Sequence, residues 1–409
     1  MRDGWQTKTL GEILCRTESV NPAASPDVDF DYIDVSSVSN ETFVIETTQR
    51  MKGKDAPSRA RRLVRSRDVL FATIRPTLKR IAITPDTLDR QVGSTGYFVM
   101  RPNEEVDHRF LFYFLFTGQF MGAMAALQKG ASYPAVTDAE VRAQSIMFPA
   151  ICEQRRIVAI LDEAVESIAT AKAHAEKNLR NARELFESRL REVFSAASDS
   201  WAQVLLGDAC SIARGGSPRP IKEFLTSEPE GINWVKISDA TASAKYIFAT
   251  AEKIKPAGVS RSRLVHDGDF LLSNSMSFGR PYIMRTTGCI HDGWLVLSNY
   301  QGTFCQDFLY LLLGSSFVYQ QFDRLAAGST VRNLNIDLAS SVRLPAPPLD
   351  EQVAIAEELD ELGRAINQLA DVCRRKVAAL DELKHSLLHQ AFSGTLTQSR
   401  SARLLETVA

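Results

Sequence analysis

The chain repeats itself once. Trp5-x4-Leu10-Gly11-Glu12 returns as Trp201-x4-Leu206-Gly207-Asp208, and Phe110-Leu111-Phe112 returns as Phe308-Leu309-Tyr310. Gly130 is matched by Gly328, Pro149 by Pro347 and Glu153-Gln154 by Glu351-Gln352. A period of about 198 residues is far longer than any solenoid repeat. The sequence is therefore a duplicated half-protein, and whatever one half folds into, the other must approximate.

Each half ends in a helix. From Ile157, apolar and small residues fall at Leu161, Ala164, Ile168, Ala171, Ala175, Leu179 and Ala182; from Ile355 they fall at Leu359, Leu362, Ile366, Leu369, Cys373, Val377 and Leu380. Alternating four- and three-residue steps make an a/d coiled-coil seam, and both runs carry an extra four-residue step at the same place. The shared register predicts that Ile157, Leu161, Ile168 and Leu179 pack against Ile355, Leu359, Leu362, Ile366, Leu369 and Leu380. Pro149, and Pro345, Pro347 and Pro348, close the preceding segments and let each helix begin at its Glu-Gln pair. Helices of about 40 residues span about 60 Å, the length of a spacer or a coiled coil.

The globular segments carry short β-rich runs, such as Val69–Ile74, Tyr97–Met100 and Trp294–Leu297, bounded by Gly, Pro and Asp. Short apolar helices are expected at Phe110–Phe116 and Phe308–Leu313. The fold class is α+β. The expected organisation is a globular domain over 1–150, a central helix over 151–196, a second domain over 197–348, a distal helix over 349–395 and a loose tail over 396–409.

Composition narrows the function. Of 409 residues, 44% are hydrophobic and 24% charged, as in an ordinary globular protein. No apolar run reaches the roughly 18 residues that span a bilayer, and Met1–Trp5 opens no secretory signal, so a cytoplasmic protein away from membranes is expected. The six cysteines form no C-x-x-C pair, and the i, i+4 pair His385 and His389 has neither an intervening Glu nor a third ligand, so no metal or other cofactor is expected. Asp267 and Asp269 flank Gly268 and read as turn caps rather than paired catalytic carboxylates. A net charge of -1 argues against a protein that coats nucleic acid, which leaves the distribution of charge to decide.

The order of motifs resembles the specificity subunits of type I restriction-modification enzymes. Three features carry the likeness: the Trp-x4-Leu-Gly-acidic starts, the Pro-x3-Glu-Gln helix beginnings, and the duplicated globular-then-helical plan. In the second half, Arg214-Gly215-Gly216-Ser217-Pro218, Gly231-Ile232-Asn233-Trp234-Val235 and Gly268-Asp269-Phe270-Leu271 are similar to stretches of that family. The resemblance covers nearly the whole chain. It implies two target recognition domains, each reading half of a bipartite, asymmetric sequence in double-stranded DNA, and two antiparallel helices between them. It also implies partners: two methyltransferase subunits gripping the helices, and restriction-motor subunits joining them. The outer helix faces, with Arg155, Arg156, Lys172, Lys177, Arg180, Arg183, Arg364, Arg374, Arg375, Lys376 and Lys384, are the expected docking surface.

The residues themselves favour DNA. Arg50–Arg80 is the most basic stretch, and Arg59, Arg61, Arg62, Arg65, Arg75, Lys79 and Arg80 are candidates for phosphate contact. A solvated charged loop is the competing reading, and the duplicated architecture weighs against it. Base reading needs paired donors and acceptors. Suitable polar loops occur at Arg75, Thr77, Lys79 and Arg80, and at Asn274, Ser275, Ser277 and Arg280. A second pair lies at Ser132 and Tyr133, and at Ser329, Thr330, Arg332 and Asn333; Arg214, Ser217 and Arg219 of the glycine-rich stretch complete the set.

Reaction chemistry is missing from the sequence. Ala346-Pro347-Pro348-Leu349 lacks the amide or carboxylate and the aromatic residue of an amino-methyltransferase tetrapeptide, and there is neither a phosphate loop nor a dinucleotide turn. The expectation is a non-catalytic subunit. The rival reading, a coiled-coil assembly protein with two protein-binding domains, explains the helices and the duplication but not the basic stretch.

Overall fold

In the computed structural model, residues 4–196, 201–243, 245–274, 279–326 and 334–397 are described. They form two compact units. One runs to Ala175 and resumes at Arg374; the other is Glu176–Cys373. Both long helices, α5 (Ile151–Ala196) and α12 (Leu349–Ser393), are shared between the units, so each unit holds one globular domain, the start of one helix and the end of the other.

In unit 1, β1 (Gln6–Thr9) runs into α1 (Leu10–Ile13) and pairs antiparallel with β9 (Ser145–Phe148). One sheet has the order β3 (Gln49–Lys52), β2 (Asp29–Ile33), β7 (Val92–Ser94), β4 (Ala60–Leu63), with β2 and β7 parallel. The other has the order β6 (Ile81–Ile83), β5 (Val69–Ala72), β8 (Tyr97–Met100). All residues of β5 and β8 are buried, which explains their unbroken apolar runs. Helices α2 (His108–Phe114), α3 (Gly118–Leu127) and α4 (Asp138–Arg142) cover this sheet and lead to α5.

Unit 2 repeats the plan. β10 (Ala202–Leu205) precedes α6 (Leu206–Ala209) and pairs with β21 (Arg343–Ala346). One sheet joins β11 (Ser211–Arg214), β20 (Trp294–Ser298), β17 (Phe270–Ser273), β18 (Pro281–Met284) and β14 (Tyr246–Ile247). The other joins β12 (Leu225–Thr226), β15 (Glu252–Ile254), β13 (Ile232–Val235), β19 (Gly288–Ile290) and β16 (Arg263–Val265), with β13 and β19 parallel as β2 and β7 are. Short α7 (Ile221–Phe224) and α8 (Ile237–Thr241) lie in the connections, while α9 (Gln306–Gly314), α10 (Ser316–Ala326) and α11 (Ile336–Ser340) correspond to α2, α3 and α4.

The conserved spacing of the two halves has a physical origin in one buried amide. Gln154 is fully buried; its Oε1 accepts from the Asp107 N–H at 2.9 Å, and its Nε2 donates to the Glu105 and Pro149 carbonyls at 2.8 Å each. Gln352 repeats this, accepting from the Cys305 N–H at 2.9 Å and donating to the Thr303 and Pro347 carbonyls at 2.8 Å. Asp107 and Cys305 are the N-cap residues of α2 and α9. One side chain thus ties the start of the long helix to the start of the domain's apolar helix.

Packing follows the same symmetry. In unit 1, Ile157, Val158 and Leu161 share a core with Leu388 and Ala391 of α12, and Phe110 meets Phe392 with ring centroids 4.7 Å apart. In unit 2, Leu190 and Phe194 share a core with Ala356 and Leu359, and Phe194 meets Phe308 at 5.6 Å. Within each unit the start of one helix therefore lies beside the end of the other. Lys172 pairs with Asp381, and Arg189 with Glu358 at 2.7 Å.

Three expectations change. Ile157, Leu161, Ile168 and Leu359 are buried, and Leu179, Ile355, Leu362, Ile366 and Leu380 half-buried, but Leu369 is 40% exposed while Ala370 and Cys373 are buried. The small side chains of Ala370 and Cys373 occupy the inner face, moving the extra four-residue step to Ile366–Ala370 and turning Leu369 outward. Lys172 and Lys384 are not outer-face residues: Lys172 is engaged with Asp381, and Lys384 lies over the Phe43 ring at 5.2 Å. Burial, reinforced by nearby Lys172, lowers the pKa of Lys384. The supposedly loose tail begins inside unit 1, where Leu396 joins the core.

Replacing Gln154 or Gln352 by Ala leaves buried backbone groups without partners, and each change is expected to destabilise its own unit by about 1–3 kcal/mol. Urea unfolding combined with amide hydrogen exchange at the helix starts measures this. Unchanged protection there would contradict the clamp.

Candidate nucleic-acid interface

The basic stretch divides on folding. Asp68, 1% exposed, accepts from Arg101 Nε and Nη2 at 2.8 Å each and from the Arg65 N–H at 2.8 Å. Arg65 itself reaches Glu18 at 2.5 Å, and Arg62 reaches Asp138 of α4 at 2.7 Å. Arg61 donates to the Ala60 carbonyl at 3.0 Å, and Arg80 to the Val38 carbonyl. Arg62 and Arg65, expected to contact phosphate, are thus engaged by carboxylates far away in sequence. Arg59, Arg75 and Thr77 are exposed, and Lys79 is half-buried.

Two loops that lie apart in the sequence meet beside β5. A tight turn at Gly130, whose φ of +110° suits glycine, lets Lys129 and Ala135 exchange backbone hydrogen bonds at 3.0 Å. The Arg75 N–H then donates to the Pro134 carbonyl at 2.6 Å, and the Val136 N–H to the Thr73 carbonyl at 3.0 Å. Arg75 Nη2 donates to the Ser132 carbonyl at 3.1 Å, and its guanidinium lies 5.0 Å from the centre of the Tyr133 ring. Tyr133 is 72% exposed. Arg75, Ser132 and Tyr133 form one surface with donors, acceptors and a π-face, a set able to meet phosphate and base edges, and the exposed Thr77 follows Arg75 by two residues.

Unit 2 brings the corresponding segments together, with the Leu334 N–H donating to the Asn274 carbonyl at 3.1 Å. Ser275, Ser277, Ser329, Thr330, Arg332 and Asn333 lie outside the described residues. Asn274 is buried, its Nδ2 donating to the Asp292 carbonyl at 2.8 Å, so it anchors the loop and does not face a base. Arg280 is exposed with its guanidinium 5.3 Å from the Tyr282 ring centre. Arg214 Nε donates to the Asp292 carbonyl at 3.1 Å, Ser217 Oγ to Asp292 Oδ1 at 2.7 Å, and Arg219 extends into solvent. Asp292 belongs to none of the sequence motifs; its position before Gly293, in the turn after β19, is its only local signal.

Asp269 accepts from the His266 N–H at 2.8 Å and from Ser298 Oγ at 2.6 Å, the turn-capping role expected of it, whereas Asp267, expected to share that role, is exposed and pairs with Arg285 at 3.3 Å. Among the described residues no group of three or more His, Cys, Asp or Glu could hold a metal, and no single helix is long and apolar enough to cross a membrane.

In a salt-titrated DNA-binding assay, Arg75→Ala is expected to lower affinity about tenfold or more, the loss of one directed arginine contact. Arg62→Ala, whose charge already faces Asp138, is expected to change affinity less than about twofold while destabilising unit 1 by up to about 1 kcal/mol. The reverse order would place the interface elsewhere.

Comparison with known proteins covers most of the chain. A family model described as "Type I restriction modification DNA specificity domain" matches residues 2–179 and 198–371. The putative type I restriction enzyme MjaX specificity subunit of Methanocaldococcus jannaschii is 22% identical over 347 residues, 80% of this chain and 78% of the relative. The type I restriction enzyme HindI specificity subunit of Haemophilus influenzae is 29% identical over 171 residues, 40% of this chain and 36% of the relative. A solved chain from work on complex assembly and conformational transition of the type I R-M system superposes with a TM-score of 0.85 at 29% identity, covering 97% of this chain and 99% of that one. The HsdS subunit from Thermoanaerobacter tengcongensis gives 0.67 at 29% identity, covering 97% and 98%.

Proposed function

The chain belongs to the type I restriction-modification DNA specificity family, and from that premise we propose that it is the DNA-recognition subunit of such a complex, each unit reading one half of a bipartite, asymmetric target. The observation that carries the reading is a backbone hydrogen bond built twice, joining the residue that follows β5 or β17 to the segment before α4 or α11: the Val136 N–H donates to the Thr73 carbonyl at 3.0 Å, and the Leu334 N–H to the Asn274 carbonyl at 3.1 Å. Unit 1 presents Arg75 and Tyr133 there; in unit 2 the exposed Arg280 precedes β18, and Arg214 and Arg219 flank Asp292. Different side chains on a common frame imply different half-sites.

The chain is non-catalytic and needs no cofactor of its own on this reading, since methyl transfer and cleavage reside in its partners. Two methyltransferase subunits dock along α5 and α12, restriction-motor subunits complete the assembly, and the complex works in the cytoplasm. The lengths of α5 and α12, 46 and 45 residues, set the non-specific spacer of the target.

Methylome sequencing of a host expressing this chain with its methyltransferase subunit tests the proposal. A bipartite methylated motif that disappears in a strain lacking this chain is the expected result. Replacing residues 1–150 by the corresponding domain of another family member changes one half-site only, and removing equal numbers of turns from both helices shortens the spacer. An active methyltransferase complex that yields no motif would favour the assembly-protein reading.

A further inference from the structure

Unit 2 carries a carboxylate and a guanidinium side by side that the phosphate-contact picture leaves without a role. Asp292 sits in the turn between β19 and β20. Its backbone carbonyl is fixed by Asn274 Nδ2 at 2.8 Å and Arg214 Nε at 3.1 Å, so the turn is tied both to the loop after β17 and to the strand before the glycine-rich stretch. Its side chain is aimed by Ser217, whose Oγ donates to Oδ1 at 2.7 Å; this bond holds the carboxyl below its usual pKa and keeps it an acceptor only. Arg219 Nη2 lies 3.8 Å from Oδ2, beyond hydrogen-bonding distance, and the two side chains are 82% and 49% exposed. Neither saturates the other. Both line a cleft of about 630 Å³ that also includes Trp234 and His291.

An ionised carboxylate accepts from an exocyclic amino group, that of cytosine N4 or adenine N6, and rejects keto oxygens. A guanidinium fork needs two adjacent acceptors, which in the major groove only guanine supplies, through O6 and N7. In a C·G pair the N4 amino group and O6 are neighbours across the pair. We propose that Asp292 and Arg219 together read one C·G pair in the half-site of unit 2, Asp292 accepting from cytosine N4 and Arg219 donating to guanine O6 and N7. The inference rests on the DNA-reading function proposed above and names specificity determinants within it. Unit 1 lacks the device. Its equivalent turn is identified by the Thr73 N–H donating to the Gly96 carbonyl at 2.9 Å, as the Asn274 N–H donates to that of Gly293 at 3.0 Å, and Thr95 stands where unit 2 has Asp292.

The test compares methylomes of hosts expressing the methyltransferase complex with this chain in its natural form, as Asp292→Asn, and as Arg219→Gln. Asn keeps the shape and the Ser217 partner but adds donor hydrogens; Gln removes the fork. The natural complex should require C·G at one position of the half-site that survives replacement of residues 1–150. Both variants should accept other pairs at that position alone, with discrimination there falling about tenfold or more in competition binding. An unchanged motif in both variants, or a methylation loss spread evenly over all sites in both, overturns the proposal while leaving the DNA-reading function intact. Absence of any motif with the natural chain overturns that function, and this inference with it.

Discussion

Two buried glutamines fix the frame on which everything else is mounted. Gln154 and Gln352 each satisfy three backbone groups where a long helix, an apolar helix and the preceding proline segment converge. A neutral amide suits this point because it both donates and accepts; a carboxylate would carry an unpaired charge and a leucine would leave three polar groups without partners. Once the helix start is fixed, Ile157 and Leu161, or Ala356 and Leu359, are delivered to the domain core. The direction in which each long helix leaves its domain is thus set by hydrogen bonds rather than by apolar contact alone.

Much of this plan is legible in the sequence because it depends on period. Duplication and seven-residue spacing survive as pattern, so both helices and the paired loops can be read directly. Leu369 shows where period stops sufficing: two adjacent residues fit the stripe, and the choice between Leu369 and Ala370 depends on how closely two backbones approach. The basic stretch shows a second limit. Arg62 and Arg65 look as free as Arg75 until folding supplies Asp138 and Glu18, and nothing near them in the chain announces those partners. Asn274 has the chemistry of an adenine reader, but its amide is directed inward to the Asp292 carbonyl.

The division of labour between frame and surface follows from these pairings. Charges that are buried or matched, such as Asp68 with Arg101, rigidify the sheet on which a loop is mounted. Groups left outside it, Arg75 over Tyr133 and Asp292 on the Ser217 hydroxyl, are held in direction without being saturated. A reader needs both conditions, because a side chain that is free in every direction loses entropy on binding and one that is fully paired has nothing to offer.

The discontinuity of unit 1 also bears on synthesis. Phe110 needs Phe392, which lies near the far end of α12, whereas Phe308 finds Phe194 in chain that has already been made. A ribosome therefore releases the pieces of unit 1 first but supplies its last core residues at the end, while unit 2 acquires its interior from one continuous stretch. The domain translated first is the one completed last, and until then Phe110 of its apolar helix α2 is without the Phe392 ring that covers it in the finished fold.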